Sequence, residues 1–327
     1  MSAPFAGPVP RRALLGAGAA LAAAPARAQP WRPARSVTLL VPFAAGSGTD
    51  AISRILAQLL EPEWGQPVVV ENRAGANGAL AAAAAARAAP DGLTLFMTTN
   101  TPHAANPALM KRLDYDPLAD FAALSRTGNY NFWLVVPEAS PFRSVADIIA
   151  AAKARPGAVT YASGNSTGIV AGGTIAAMAG VEMTHVPYRS TPPAITDVVA
   201  GRVSCMVVDA SSSLGVVRAG QLRVLGVTTR QRSKLLPDVP ALHEVGLPGF
   251  DVAAWAGLVG PARMPPAMVA SINADVRRVW DRPETVRRLG EIGFDGFSSP
   301  AEEFAEFIRT EIDKWGRMAR AAGIEPE

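Results

Sequence analysis

Hydrophobic positions along the chain follow two alternating patterns. Short apolar runs rich in valine and leucine are separated by longer stretches whose apolar residues recur every three or four positions. The first pattern is typical of strands buried on both faces, and the second of amphipathic helices. The predicted strands are Val37–Phe43, Val68–Glu71, Thr94–Thr98, Phe132–Val136, Val159–Ala162, Thr184–Val186, Cys205–Val208, Val224–Thr228 and Gly257–Val259. This alternation predicts an α/β fold with mainly parallel sheets.

Helices are predicted between these strands. Apolar residues from Ile52 to Leu60 lie on one face of the first helix. Further helices are predicted over Val145–Ala154, Ile169–Ala179, Ala194–Ala200 and Ser212–Ala219. Two closing helices follow Pro265-Pro266 and Pro300, and no strand is predicted between them. We expect these two to cover a sheet formed earlier in the chain.

The length of the chain predicts two lobes, each a mainly parallel sheet flanked by helices. About 300 residues are long for a single sheet. No low-complexity linker is present, so strand-like segments near Asn129–Val136 and Asp251–Gly257 are the predicted crossings. Two crossings place both ends of the chain in one lobe. Residues 29–129 plus 254–327 are therefore predicted as lobe 1, and residues 130–253 as lobe 2.

Residues 1–28 have the pattern of an export signal. Arg11 and Arg12 precede the apolar run Ala13–Ala24, and Ala26-Arg27-Ala28 ends the segment in an A-x-A pattern. The run is shorter than the roughly 20 residues that a membrane span needs. Cleavage near Ala28 and a periplasmic location are predicted. The paired arginines leave both the general and the twin-arginine export routes open.

Charge and composition exclude several kinds of function. Three of the 31 basic residues and none of the 28 acidic residues lie in residues 1–28, so the remaining chain carries 28 of each. A neutral chain has no footprint for nucleic acid. Cys205 is the only cysteine, which excludes an internal disulfide and favours a buried, inert thiol. Three histidines far apart in sequence predict no metal site, and no cofactor is predicted.

The loop after the first strand is the strongest candidate for binding. Its small residues lead directly into the Ile52–Leu60 helix. Glycines let a ligand approach the backbone, and the free amides at a helix start favour an anion. No lysine follows the second glycine, so this is not a phosphate-binding P-loop. The alternative is a tight turn capped by Thr49 or Asp50. The predicted contacts are Phe43, Ala44, Ala45, Gly46, Ser47, Gly48, Thr49 and Asp50.

Polar residues also follow other predicted strands. Ligands in open α/β sheets bind outside the carboxyl ends of the strands, so these residues are predicted to share one site. Tyr188 is a candidate cleft wall, and His103 either lines the cleft or caps a loop. Arg189 either pairs with a carboxylate or is solvated. The further candidates are Thr99, Asn100, His103, Ser163, Asn165, Ser166, Thr167, Gly168, Tyr188 and Asp209.

An enzymatic alternative uses some of the same residues. Gly164-Asn165-Ser166-Thr167-Gly168 matches the G-x-S-x-G turn of serine hydrolases, and Asp209 and His243 follow in the order of a catalytic triad. The pattern fixes only three small residues and is weak. The competing interpretation is that Ser166 contacts a ligand or caps a helix.

Several segments together resemble the substrate-binding receptors of tripartite tricarboxylate transporters, also called the Bordetella uptake gene family. The resemblance covers essentially the whole chain after residue 28. The matching segments are Leu40–Phe43, Gly46–Asp50, Gly65–Gly75, Ala89–Leu95, Tyr115–Phe121, His185–Tyr188, Leu236–Pro240 and Gly246–Phe250. Their order and spacing, rather than any one segment, make the match specific.

The resemblance implies a periplasmic, Venus-flytrap-like, two-lobed receptor that catalyses nothing. It implies a small carboxylate (mono-, di- or tricarboxylate, or amino acid) held by the loops Ala44–Asp50 and Ser163–Gly168, largely through backbone amides and ordered water. Asp209 would contact the far end of the ligand. The implied partners are permease subunits in the membrane, with the receptor itself a monomer. A role as a ligand sensor for a signalling kinase stays open. Ser47 departs from the family pattern.

Overall fold

Strands and helices alternate through most of residues 30–326, the part of the chain that the computed structural model describes. All of them belong to the unit that begins at Trp31. The predicted signal peptide lies outside the described residues. No helix within residues 30–326 is long and apolar enough to cross a membrane.

The first sheet has six strands in the order β11-β4-β10-β3-β1-β2. Its strands are β1 (Val37–Val41), β2 (Val68–Asn72), β3 (Thr94–Thr99), β4 (Phe121–Tyr130), β10 (Ala254–Pro261) and β11 (Phe294–Gly296). β1 pairs in parallel with β2 and β3, whereas β10 lies antiparallel between β3 and β4. The sheet therefore combines an early part and a late part of the chain.

The second sheet has five strands in the order β7-β6-β8-β5-β9. Its strands are β5 (Phe132–Pro137), β6 (Thr160–Ser163), β7 (Thr184–Pro187), β8 (Cys205–Asp209) and β9 (Leu222–Val227). β6 pairs in parallel with β7 and β8, and β5 lies antiparallel between β8 and β9. The α/β architecture with two helix-flanked sheets matches the prediction. The exact lobe boundaries stay a prediction.

The predicted direction of the strands was wrong in part. Both sheets are mixed rather than mainly parallel, because β5, β10 and β11 run against their neighbours. β4 leads directly into β5, and β10 returns to the first sheet without a crossover helix before it. An apolar run shows that a strand is buried, but only the path of the chain sets its direction.

The α-helices occupy the positions between strands. They are α1 (Gly48–Trp64), α2 (Ala79–Ala86), α3 (Asn106–Leu109), α4 (Val145–Ala154), α5 (Ser166–Ala179), α6 (Thr191–Val199), α7 (Ala210–Arg218), α8 (Pro266–Trp280), α9 (Pro283–Glu291) and α10 (Ala301–Ala321). A π-helical turn, Thr101–Ala105, leads into α3. α1 buries Ile52, Ile55, Leu56 and Leu60, each worth about 1.5–3 kcal/mol of transfer free energy.

Two strands were not predicted from the hydrophobic pattern. β4 contains the buried polar residues Ser125 and Thr127, which interrupt the apolar run expected of a buried strand. Ser125 Oγ donates to Ser299 O at 3.0 Å, and the Trp280 indole donates to Thr127 O at 2.7 Å. β11 lies between α9 and α10, so the expectation of closing helices without a strand was wrong.

Candidate functional site

A small cavity lies where the ends of β1, β3, β6 and β8 meet; we call it the cleft cavity. Its volume of about 20 Å³ is room for about one water molecule. It is lined by Phe43, Ser47, Gly48, Thr49, Thr99, Asn100, Thr101, Tyr130, Phe132, Asn165, Thr167, Thr191, Asp209 and Ala254. Residues that follow strands of both sheets therefore form a single site.

The structure brings half of the predicted residues to this cavity. Those that line it are Phe43, Ser47, Gly48, Thr49, Thr99, Asn100, Asn165, Thr167 and Asp209. Those that do not are Ala44, Ala45, Gly46, Asp50, His103, Ser163, Ser166, Gly168 and Tyr188. Lining residues that we did not predict are Thr101, Tyr130, Phe132, Thr191 and Ala254. Among these, Tyr130 and Phe132 lie where the chain crosses between the sheets, a position that itself could have indicated them.

The start of α1 leaves one amide free beside the cleft cavity. Ser47 caps the helix, with its hydroxyl accepting from the Asp50 amide. The Gly48 amide donates to Ser212 Oγ at 2.8 Å, so it is engaged by the protein itself. Within residues 30–326 the Thr49 amide has no hydrogen-bond partner. Such an amide carries part of the positive end of the helix dipole.

The start of α5 repeats this arrangement. Asn165 caps the helix and accepts from the Gly168 amide at 3.0 Å. In the described part of the chain, the amides of Ser166 and Thr167 have no partner. The prediction that the loop amides bind a ligand therefore applies only to those amides that have no partner within the protein. The amides of Gly46, Gly48 and Gly168 are satisfied internally, and those of Thr49 and Thr167 are available beside the cavity.

Several hydrogen bonds join loops of the two sheets around the cleft cavity. The Ala44 amide donates to Ser190 Oγ at 3.1 Å, and Asn100 Nδ2 donates to Thr167 Oγ1 at 3.0 Å. The hydroxyls of Thr101 and Ser166 lie 2.8 Å apart. Each is a neutral contact worth about 0.5–1.5 kcal/mol net, so the two sides are held together weakly.

Asp50 supports the loop from behind instead of lining the cavity. Its carboxylate accepts from the Gly46 amide, Arg54 Nε and Asn72 Nδ2, each at 3.0 Å. Burial alone would raise the pKa of Asp50, but the bonds from Arg54, Gly46 and Asn72 outweigh it and hold the pKa below its usual value. The residue therefore fixes the course of the chain before α1.

We expect Asp50→Asn to lower the free energy of unfolding by about 2 kcal/mol. Asparagine offers one oxygen to three donors and turns its own amide hydrogens toward the others, which leaves buried groups unsatisfied. Chemical denaturation measures the change. Asp91→Asn is the control, because this exposed aspartate accepts a single bond, from the Leu93 amide. Equal stability of Asp50→Asn and the wild type would contradict the supporting role.

Asp209 is the charged group of the cleft cavity. It caps α7, accepting from the Ser212 amide and from Ser212 Oγ, both at 2.8 Å. Burial raises the pKa of Asp209 to about 6, and the bonds from Ser212 oppose the rise. Ser211 Oγ, the next hydroxyl, is buried without a partner in the described residues. The cavity wall thus contains a buried carboxyl group with a raised pKa, and the unpaired hydroxyl of Ser211 lies two residues further along the chain.

His103 lies in the core instead of the cleft. Its ring is fully buried, with Nδ1 2.6 Å from Thr98 Oγ1 and the ring centroid 4.6 Å from that of Phe121. Burial lowers the pKa of His103 to about 3, so the ring is neutral.

The other candidates near the second sheet have different surroundings. Tyr188 points its hydroxyl to Asp197 Oδ2 at 2.6 Å, and Arg189 is exposed. The buried Cys205 matches the predicted inert thiol, since burial raises its pKa to about 12.

The residues of the hydrolase alternative bind other partners. Ser166 bonds to Thr101, His243 Nε2 lies 2.9 Å from Arg230 O, and Asp209 bonds to Ser212. A serine nucleophile needs its base within about 3.2 Å of the hydroxyl. The structure instead gives Ser166 and His243 different partners, which does not favour a catalytic triad.

The described residues also contain no group of three or more histidine, cysteine or acidic side chains arranged for a metal.

Comparisons with known proteins agree on one family. The family model described as "Tripartite tricarboxylate transporter family receptor" matches residues 52–324. A relative from Pseudomonas sp. (strain P51), "UPF0065 protein in tcbD-tcbE intergenic region", is 35% identical over 94% of this chain and 93% of its own length. Members of this family are periplasmic solute-binding proteins and not enzymes.

Solved structures show the same architecture. "R. palustris Rpa4515 with adipate" is 33% identical with a TM-score of 0.87, and covers 90% of this chain and 99% of that one. MatC from Rhodopseudomonas palustris with bound malate is 30% identical with a TM-score of 0.82, and covers 88% of this chain and 99% of that one. With its two helix-flanked sheets and the match over residues 52–324, the chain belongs to the tripartite tricarboxylate transporter receptor family of solute-binding proteins.

Proposed function

We propose that this protein captures a small carboxylate in the cleft cavity and delivers it to the membrane permease of a tripartite tricarboxylate transporter. The observation that carries the proposal is the pair of free amides of Thr49 and Thr167 beside one cavity. Each stands at the positive end of a helix, of 17 residues in α1 and 14 in α5. Two neutral donors stabilise an anion without burying a paired charge.

The structural neighbours support an anionic ligand. Two of them hold bound adipate and bound malate. Both ligands carry carboxylate groups, which accept charge-assisted hydrogen bonds of the kind that free helix amides donate. A carboxylate oxygen also approaches the size of the single water for which the cleft cavity has room.

Ligand capture would proceed by closure of two lobes, residues 29–129 plus 254–327 and residues 130–253. Thr49 and Thr167 follow strands of different sheets, so both amides reach one carboxylate only when the sheets approach. The ligand then favours the closed state because it gains the second set of bonds there. The contacts from Ala44 to Ser190 and from Asn100 to Thr167 add to closure.

Delivery to the periplasm follows from residues 1–28 acting as a cleaved export signal. The receptor would act as a monomer on separate permease subunits in the membrane. No helix within residues 30–326 can itself cross a membrane. Detection of the protein in a periplasmic extract, with an N-terminus near residue 29, tests this part.

We expect Thr167→Pro to weaken carboxylate binding by about tenfold or more. Proline removes the amide hydrogen of residue 167 and is tolerated in the first turn of a helix. A hydrogen bond to a charged group contributes about 1.5–3 kcal/mol, which corresponds to this loss. Isothermal titration against mono-, di- and tricarboxylates and acidic amino acids gives the affinities.

Two matched variants separate the amide from other effects. Thr167→Val keeps the amide but removes the hydroxyl that accepts from Asn100, so we expect a smaller loss. Ala146→Pro places proline at the equivalent second position of α4, away from the cleft cavity, and should bind as the wild type does. If no acid in the panel binds the wild type, or if Thr167→Pro binds as tightly, the proposal is wrong.

A further inference from the structure

A second cavity lies beside the first; we call it the side cavity. Its volume is about 290 Å³, and Asn165 lines both cavities. Its walls come from both halves of the fold, with Tyr161, Ser163 and Tyr188 on one side and Asn77 and Met110 on the other. The cleft cavity has room for little more than a carboxylate oxygen, so the body of any ligand needs additional space.

The side cavity has the walls of a site for an apolar group. The rings of Tyr161 and His185 stack with centroids 5.0 Å apart and planes 25° from parallel. Ile169, Met110 and Ile324 supply further apolar surface. An apolar cavity of about 150 Å³ is enough to bind benzene, so a ring fits into this volume. Flat rings and a thioether are favourable contacts for an aromatic group.

The ring pair is held in place by the packing behind it. Gly172 of α5 lies against Tyr161, and a Cβ there would meet the tyrosine ring at 2.3 Å. Ser163 Oγ lies 2.6 Å from His185 Nε2. The wall of the side cavity is therefore a defined surface that does not depend on a ligand.

The charges around both cavities favour a ligand with one carboxylate. Among the described residues, no lysine or arginine lines either cavity. The acidic residues that do are Asp209 in the cleft cavity and Glu325 in the side cavity. A second carboxylate in the side cavity would lie against the apolar side chains of Ile169 and Met110, near the exposed Glu325, with no arginine or lysine to pair with.

We propose that the ligand is a monocarboxylate with an aromatic or bulky apolar body. Its carboxylate lies at the amides of Thr49 and Thr167, and its body lies in the side cavity past Asn165. This inference rests on the proposed function and narrows it. It differs from what the two neighbours hold, since adipate and malate each carry two carboxylates.

The test compares acids that share the carboxylate and differ in the body. Titration of the mature protein with 3-phenylpropionate, propionate, adipate and malate gives the order of affinities. We expect 3-phenylpropionate to bind at least about tenfold more tightly than each of the other three. Ile169→Trp fills the side cavity and should weaken 3-phenylpropionate at least tenfold. Ile149→Trp is the control, because this residue of α4 is equally half-buried but lines neither cavity.

The outcomes are distinguishable. If adipate or malate binds and 3-phenylpropionate does not, the narrower inference is wrong and the proposed function stands. If no carboxylate binds, the proposed function itself is wrong. If 3-phenylpropionate binds equally to wild type and Ile169→Trp, its body lies elsewhere. Thermal unfolding shows whether each variant folds, and Ile169→Phe, which adds less volume, replaces Ile169→Trp if the latter does not.

Discussion

Gly48→Ala is expected to weaken ligand binding by about 100-fold or more. A Cβ at this position would lie 2.2 Å from Asp209 Oδ1 and 3.0 Å from Ser211 Cβ. The carboxylate cannot withdraw easily, because the Ser212 amide and hydroxyl both hold it at 2.8 Å. Added atoms in a packed site cost about 1–3 kcal/mol or more, and here they oppose only the closed arrangement. Titration calorimetry measures the loss.

A second glycine provides the control for this substitution. Gly215 lies inside α7, and a Cβ there has nothing within 4 Å. Gly215→Ala should keep wild-type affinity and gain about 0.5–1 kcal/mol of stability, as alanine does in a helix. Neither glycine has a positive φ, so local strain does not differ between the two variants. Tight binding by Gly48→Ala would show that α1 and α7 do not need this close approach.

The free energy of unfolding of Asp209→Asn, relative to that of the wild type, is expected to increase by about 3 kcal/mol as the pH rises through 6. The pKa of Asp209 is raised from 3.8 to about 6, which is roughly 2 units at 1.36 kcal/mol each. A raised pKa means that the folded state holds the proton more tightly. The stabilising contribution is therefore complete below about pH 4 and is lost as the pH rises through 6. Asparagine keeps the capping oxygen and carries no charge.

Denaturation of both proteins between pH 4 and pH 8 measures this difference. Asp238→Asn, which replaces an exposed carboxylate, is the matched control. Ionisation of Asp209 should also weaken ligand binding, because Asp209 lines the cavity proposed for the ligand carboxylate. Affinity of the wild type should fall about tenfold as the pH passes 6, and that of Asp209→Asn should stay level. If the affinity of the wild type did not change with pH, the charge of the ligand would lie away from Asp209.

Much of the candidate site could be predicted from the sequence because its residues directly follow the ends of strands. The hydrophobic pattern located β1, β3, β6 and β8, and small polar residues directly after a buried strand predicted contacts such as Thr49 and Asp209. Other predicted residues do not line the cavity, because their side chains turn away from it. Asp50 and His103 each follow a strand, but Asp50 bonds the loop itself and His103 packs among aromatic rings. Sequence position does not encode which way these side chains turn.

Other contributors to the site were beyond sequence reasoning because they come from distant segments. Thr191 begins α6 and Ala254 begins β10, and neither residue directly follows a predicted strand. The approach of Gly48 to Asp209 likewise joins residues more than 150 positions apart. The raised pKa of Asp209 follows from burial on all sides, which no local pattern contains.

By itself, the amino-acid sequence determined the α/β class, the strand-end loops and the family, because these depend on local periodicity and on ordered short motifs. The tertiary structure decided the direction of β5 and β10, which amides stay free, and the presence of the side cavity. These features arise where two sheets meet, and the energy of such contacts depends on distances between segments that the order of residues does not specify.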